Sequence, residues 1–238
     1  MTDEVAPDGA DGLTMTERTR LRRIPEQGSH SRAELHAVLD AGFVCHLGLV
    51  VDGYPMVVPT SYGRRGDDLF LHGSVASRSL RAAKVPVPVC VTVTHVDGLV
   101  LARSVFEHSV NYRCAMVYGT PDLLDGEAKL AGLEAISEHA VPGQWDYVRS
   151  PSTKELAATT VLRLALDEAS VKIRRGPPDD GDGPDGALDV WAGELPVRTV
   201  RLDLVADPEL RPGIDVPDHL VAGGQAPGSV DWRGLTGT

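Results

Sequence analysis

The run VPVCVTVTHV sets Val89, Val91 and Val93 on one side of an extended chain and Cys90, Thr92 and Thr94 on the other. A helix cannot sort residues with a period of two, whereas a half-buried strand does so automatically. The same period recurs in FVCHLGLVV, YPMVVPTSYG, LFLHG, LVLARSVF, YRCAMVYGTPDLL and TTVLRLALDEASVKIRR. Asp52-Gly53 is the residue pair that a tight hairpin requires, and Asp97-Gly98 reads as a second turn. Arg64 to Asp68 supplies another turn signal. About six or seven strands joined mainly by hairpins imply an antiparallel barrel. Alternating strand-helix units are not seen, which disfavours a doubly wound dinucleotide fold.

Helices are additions to this frame. Ser31 and Glu34 have capping-box spacing, followed by Leu35, Val38 and Leu39 at helical spacing, with Gly42 placed to end the helix. SVASRSLRAAK reads as one or two helical turns. GEAKLAGLEAISEHA carries a stripe of Leu130, Leu133 and Ile136. Residues 1–28 read as a flexible or loosely docked arm, 29–205 as the folded domain with 176–186 (GPPDDGDGPDG) as an exposed loop, and 206–238 as an irregular Pro/Gly-rich tail.

Charge narrows the partners. A formal net charge of −11 repels phosphate polymers and anionic membranes, so neither nucleic acid nor membrane is expected. Arg18, Arg20, Arg22 and Arg23 lie beside an acidic stretch and read as a solvated segment. Cys45, Cys90 and Cys114 are odd in number and never in a Cys-x-x-Cys pair, which argues for free thiols in strands and against disulfides or zinc. The first fourteen residues lack the basic and apolar blocks of a signal peptide, and no apolar run reaches membrane-spanning length, so the expectation is a cytoplasmic protein.

Two constellations carry chemistry. In LFLHGSVASRSLRAAK, a strand and a small-residue turn precede Ser77, Arg78, Arg81 and Lys84. Gly73 lets backbone approach a ligand, Ser77 and the turn amides donate hydrogen bonds, and Arg78 offers a planar fork to phosphate oxygens. A solvated basic helix would present the same residues. In HSVNYRCAMVYG, Asn111, Tyr112 and Arg113 combine an amide, a phenol and a guanidinium that together suit the edge of a polar heterocycle, although such a cluster also lines ordinary turns. His46, His95 and His108 lack metal-site pairing, so no metal is expected, and Asp179, Asp180 and Asp182 read as solvated loop charges.

PMVVPTSYG, LFLHGSVASRSL, HSVNYRCAMVYG and VWAGELP, in that order, resemble the pyridoxamine 5′-phosphate oxidase-like flavoproteins, in particular the flavin-nucleotide-binding branch related to nitroimidazole-resistance proteins. The resemblance covers roughly residues 30 to 200. It implies a split β-barrel, a homodimer and FMN held in clefts between the two subunits. By position, Ser77 and Arg78 inherit the FMN phosphate, with Ser79 where the oxidases often have lysine and Arg81 or Lys84 as substitutes for that charge. Val58, Pro59, Thr60, Ser61 and Tyr62 correspond to the strand beside the isoalloxazine ring. Arg113 matches an arginine of the oxidases, but Cys114 replaces the glutamine that follows it there. Trp191 matches a flavin-side tryptophan, while Glu194 and Val197 stand where the oxidases carry basic residues. Vitamin B6 oxidation is therefore not expected.

The resemblance implies an FMN-dependent oxidoreductase moving hydride between a reduced nicotinamide or organic substrate and the flavin, with the substrate open. Tyr62, His72 and Tyr112 are the candidates for a proton donor. The alternatives are a flavin-binding or sequestering protein without turnover, and a haem-binding protein of the same fold ligated through His72. A deazaflavin in place of FMN is a further alternative.

Overall fold

The structure is a computed structural model that describes residues 12–83 and 85–222. Seven strands have seven or more residues: β2 (Val44–Val51), β3 (Tyr54–Arg65), β4 (Asp68–Ser74), β5 (Val89–Leu101), β6 (Ser109–Gly119), β8 (Thr159–Ala165) and β9 (Glu168–Arg174). These are the strands that the sequence periods anticipate. Three short ones complete the set: β1 (Gly28–Ser29), β7 (Asp122–Leu123) and β10 (Gly193–Pro196). All ten form one sheet in the order β1-β9-β6-β5-β2-β3-β4-β8-β7, with β10 on β5. Every pairing is antiparallel, and β1 and β7 remain edges, so the barrel is split rather than closed.

The helices are α1 (Arg32–Asp40), α2 (Arg78–Ala82), α3 (Gly126–Ala140), α4 (Gln144–Tyr147), α5 (Thr153–Ala158) and α6 (Asp218–Ala222). Inside the curled sheet, Leu47, Val91, Val117, Leu162 and Val171 meet Leu35, Val38 and Leu39 of α1 and Leu80 of α2 in one core. Full burial of one such side chain contributes about 1.5–3 kcal/mol. On the outside, α3 covers β3 and β4 through Phe70, Ala135 and Ile136. Gly63 permits this, since a Cβ there would lie 2.5 Å from the Ala135 carbonyl oxygen. The predicted stripe is shifted: Gly132, Ala135 and Ile136 are buried, while Leu130 and Leu133 are only half-buried.

Asp52 and Gly53, with φ of 52° and 80°, form the expected hairpin turn between β2 and β3. Asp97-Gly98 does not turn the chain. β5 runs straight through it with a bulge between Val96 and Gly98, and the chain reverses only after Leu101. Ser31 caps α1 by accepting from the Glu34 amide at 3.3 Å, and the helix ends at Asp40 with Ala41 as its C-cap rather than on Gly42. A reciprocal capping box occurs instead at Ser152 and Glu155, which starts the unanticipated helix α5.

The described part of the N-terminal arm is docked. Leu13 is 2% exposed in the core, its amide donates to the His30 carbonyl at 2.7 Å, and Thr16 and Arg18 both bond Glu168. Residues 1–11 of the arm and 223–238 of the tail lie outside the described residues. The loop 176–186 is anchored rather than solvated at its centre, because the Asp180 side chain is 3% exposed and bonded to Arg103. No helix of the described residues is long and apolar enough to cross a membrane.

Candidate functional site

Strand alternation divides the predicted ring-side residues. The register Cys45–Thr60 and Leu47–Val58 points Val58 and Thr60 into the barrel, whereas Pro59 and Ser61 face outward with Val44 and His46. Tyr62 also points inward. It is fully buried, its hydroxyl donates to the Leu39 carbonyl, and its ring lies 5.0 Å from that of His139. The side chain therefore closes the core over α1 and is withdrawn from any cleft. Burial, and then nearby Cys45 and Asp40, push its phenol well above the usual range, so it holds its proton.

His72 follows the Tyr62–Leu71 pair by one step, which places it beside Ser61 on the outer face of β4. Its backbone carbonyl accepts from the Thr60 hydroxyl at 3.5 Å. The Nδ1 atom is buried without a hydrogen-bond partner, and burial lowers the imidazole pKa below its ordinary value, which keeps the ring neutral. Gly73 serves packing rather than ligand approach, since a Cβ there would stand 2.6 Å from Leu80 Cδ1.

The turn that follows β4 is self-supporting. The Ala76 amide donates to Ser74 Oγ at 3.1 Å, the Ser77 amide to the Ser74 carbonyl at 2.9 Å, and the Val75 amide to the Ala158 carbonyl at 3.0 Å. Ser77 is the N-cap of α2, and its hydroxyl lies 3.0 Å from that of Ser79. Ser79 is buried beneath the turn. Arg78 reaches from the turn to Asp52, with Nη2 2.8 Å from Oδ2. Both side chains are mostly exposed, and such a surface pair contributes only about 0–1 kcal/mol. A dianionic phosphate would draw the guanidinium away at little cost. Arg81 is exposed on the same helix, and Lys84 lies outside the described residues.

The second constellation is not free to read a heterocycle. Asn111 is 2% exposed, donates to the Gly176 carbonyl at 3.1 Å and to Glu194, and accepts from Arg174. Arg113 forks onto Asp97 at 2.8 and 2.9 Å. These side chains tie β10 and the 176–186 loop to β6. Tyr112 faces outward, with Lys172 Nζ 5.8 Å from its ring centre. Trp191 is 70% exposed and packs against Gly193.

The two constellations do not meet within one chain. Arg113 pairs with His95, three residues along β5 from the Thr92–His46 level, whereas Asp52 and Arg78 lie six residues beyond His46 in the opposite direction. At ~3.3 Å per residue, the separation along the strands is on the order of 30 Å. The sequence indicated both polar clusters but carried no signal for the distance between them. The Asp97 and Asp180 partners were also missed, since each closes a contact through the fold rather than along the chain.

This arrangement is that of a split β-barrel whose outer face is exposed on β2 and on the Pro55–Pro59 stretch of β3 and covered by α3 farther along β3 and on β4, with a polar turn at one end of that face and a locked polar network at the other. The chain belongs to the pyridoxamine 5′-phosphate oxidase family, whose model matches residues 31–173. It is 36% identical to the flavocytochrome Anf3 from Azotobacter vinelandii, over 87% of this chain and 96% of that one, with a TM-score of 0.81. Identity to a FAD- and haem-binding protein from Mycobacterium smegmatis is 38%, over 82% and 96% of the two chains, with a TM-score of 0.79. A Bacteroides thetaiotaomicron protein named for 5-nitroimidazole resistance shares the fold at 21% identity and a TM-score of 0.51, over 61% and 86% of the chains. A comparison with curated proteins finds no match.

Proposed function

We propose that the chain is a homodimeric flavin-dependent oxidoreductase that holds FMN, or the FMN portion of FAD, between two subunits. The observation that carries this reading is the continuity of the Ser74–Arg78 turn with the outer face of β3 and β4. Ser77, Arg78 and Arg81 supply hydroxyl and guanidinium donors at one end, and Pro59, Ser61 and the neutral His72 line the adjoining face. A phosphate at the turn and a ring along the strands match that order of polarity. The similarity to a flavocytochrome and to a FAD- and haem-binding protein over most of the chain supports the same cofactor class.

When bound, a flavin would supply two-electron redox chemistry. The chain's own residues bind and orient. Arg78 would exchange Asp52 for the phosphate, and the backbone of Thr60 and Ser61 would flank the ring. Glu194 is committed to Asn111 and carries no positive charge for a substrate phosphate, which argues against pyridoxamine phosphate as substrate.

The test is reconstitution with FMN and FAD separately, followed by anaerobic NADH or NADPH. The expected result is one tightly held flavin per chain whose absorbance bleaches and then recovers with a nitroaromatic acceptor. Failure of both flavins to bind overturns the reading, and binding without bleaching reduces it to flavin sequestration. A second reading, haem in addition to flavin, is favoured by the neutral imidazole of His72, whose Nδ1 has no hydrogen-bond partner. It predicts a Soret band with hemin that is lost in His72→Ala.

A further inference from the structure

A groove of about 320 Å³ opens where three separate parts of the chain meet: the 3-10 turn Pro25–Gln27 with β1, the first turn of α1, and the end of β9. Its volume sits at the small end of the ~300–1,000 Å³ range of small-molecule sites. Ile173, which packs against the core, supplies its apolar surface. Ile173 and Arg175 line the groove together, two residues apart, while Arg174 between them turns the other way to Asn111. Because Ile173 pairs with Arg113, the groove lies at the locked-network end of the barrel, on the order of 30 Å along the strands from Arg78. The flavin reading uses none of its residues.

The wall contributed by the N-terminal arm is fixed before any ligand arrives. Gly28 and Ser29 pair with Lys172 and Val171 of β9, Leu13 is buried in the core, and Thr16 and Arg18 bond Glu168. Ile24 stands at φ 54°, in the left-handed region that a β-branched residue rarely adopts, and the Gln27 and Gly28 amides close the turn onto the Ile24 and Pro25 carbonyls. Such a conformation persists only where its surroundings over-determine it. Ser31 and Glu34 have the spacing of a reciprocal capping box, yet Ser29 Oγ takes the Ser31 amide at 3.1 Å, the donor that a capping-box glutamate would claim. Freed from the cap, the half-buried Glu34 lines the groove instead. Among the described residues, neither its carboxylate nor that of Glu26 has a hydrogen-bond or ion-pair partner. Two unpartnered carboxylates, a guanidinium and an apolar side chain thus share one small groove.

We propose that this groove binds a free amino acid, its ammonium group held by Glu26 and Glu34, its carboxylate by Arg175 and its side chain against Ile173. An ammonium offers three donors, which the two carboxylates and the Ser29 hydroxyl can accept. A guanidinium has five, so a contact that Arg175 makes elsewhere leaves donors for a planar carboxylate. Charge selects against the alternatives. A carboxylic acid alone meets two like charges, a diamine or divalent cation meets the guanidinium, and a simple amine leaves the guanidinium unused. No group of three His, Cys, Asp or Glu among the described residues could hold a metal ion. Binding joins the arm, α1 and β9 through one molecule and so tightens the hold of the arm on the barrel.

The experiment titrates the full chain, without added flavin, with the common L-amino acids one at a time in a calorimeter at neutral pH, and then with the amine and the carboxylic acid that correspond to the tightest one. At least one amino acid should bind with a dissociation constant below about 1 mM. Removing either its ammonium or its carboxylate should weaken binding about 10- to 100-fold, the loss of one charge-assisted contact. Glu34→Gln and Arg175→Met should each weaken it by a similar factor, with Glu26→Gln as the second acidic position if Glu34→Gln does not fold. Glu127→Gln, at the start of α3, should leave it unchanged. Amide hydrogen exchange across residues 24–31 should slow in the bound protein. Absence of binding at that level, or binding that survives Arg175→Met and the folded glutamine variants, overturns the proposal. Equal affinity for the amine overturns the role of Arg175, and protection confined to residues 74–78 places the molecule at the polar turn and overturns the site.

Discussion

Asp180 and Arg103 form a two-point clamp, in which one carboxylate accepts from the Arg103 amide at 2.5 Å and from its guanidinium at 2.8 Å. The clamp joins a loop of prolines, glycines and aspartates to the turn that presents Phe106. Burial alone would raise the Asp180 pKa, but the Arg103 amide and guanidinium outweigh it, so the carboxyl stays below its ordinary value. A depressed folded pKa means that the clamp contributes fully above the ordinary carboxylate range and is lost as pH falls through the lower folded value. Asp180→Ala removes it at every pH. Limited proteolysis at neutral pH should then cut within residues 176–186 and 102–108 several-fold faster than in the parent, and equal cutting rates would show that the loops are held by other means.

Arg78 and Asp52 set up a competition that flavin titration can read. Arg78→Ala removes one charge-assisted contact to phosphate and should weaken flavin binding about 10- to 100-fold. Asp52→Asn removes only the exposed competitor, worth about 0–1 kcal/mol, so affinity should stay level or tighten by up to about fivefold. Opposite signs from the two substitutions, measured by quenching of flavin fluorescence, identify the turn as the phosphate site. Equal weakening would place Asp52 among the binding groups.

The Asn111 and Arg113 substitutions should act on stability first. Arg113→Ala leaves Asp97 without its fork, at a cost of about 1–3 kcal/mol, and the partial exposure of Asp97 places the effect toward the low end. Asn111→Ala strands Glu194 and Arg174, and β10 should loosen from β5. Urea midpoints should fall in both variants, and flavin affinity should change less than in Arg78→Ala. The reverse ranking would return these residues to the cofactor.

These cases show which parts of the fold were legible in the chain. Period-two alternation fixed both faces of β5, because local sequence and burial agree there. The same Asp-Gly pair, however, makes a turn at Asp52 and a bulge at Asp97. At Gly98 a Cβ would lie 3.0 Å from Glu194 Oε1 and 3.2 Å from the Leu195 carbonyl oxygen, so the glycine is set by the close approach of β10. That partner arrives from about a hundred residues away, and no local period announces it. Asp180 is a similar case, since its neighbours in sequence are solvated and only the fold brings Arg103 to it. The polar turn after β4 was legible because its chemistry is contiguous, whereas its separation from Asn111 depended on how far two strands overlap.

The end of α1 supplies a pH dependence. Its carbonyls are taken by side chains from three other elements: Val38 by His95 Nε2 at 2.9 Å, Leu39 by the Tyr62 hydroxyl, and, just past the helix, Gly42 by His139 Nε2 at 2.7 Å. Burial lowers the pKa of both imidazoles below 6.5, and the backbone bonds only partly oppose it. Asp97 and Arg113 face His95 with opposite signs, as Asp40 and Arg64 face His139. The folded protein thus binds fewer protons than the unfolded chain below the ordinary histidine value. Stability is full above about pH 6.5 and declines as the pH falls beneath it, until the lowered folded pKa values are reached. Replacing His139 by Gln removes one titrating group, so the loss of urea stability between pH 7 and pH 5 should become shallower. Tyr62→Phe should instead lower stability by about 1–3 kcal/mol at both pH values, because it orphans a buried carbonyl without changing any group that titrates in this range. A slope unchanged in His139→Gln would mean that His139 binds its proton equally well in the folded and the unfolded protein, and would overturn the assignment of the pH dependence to its burial.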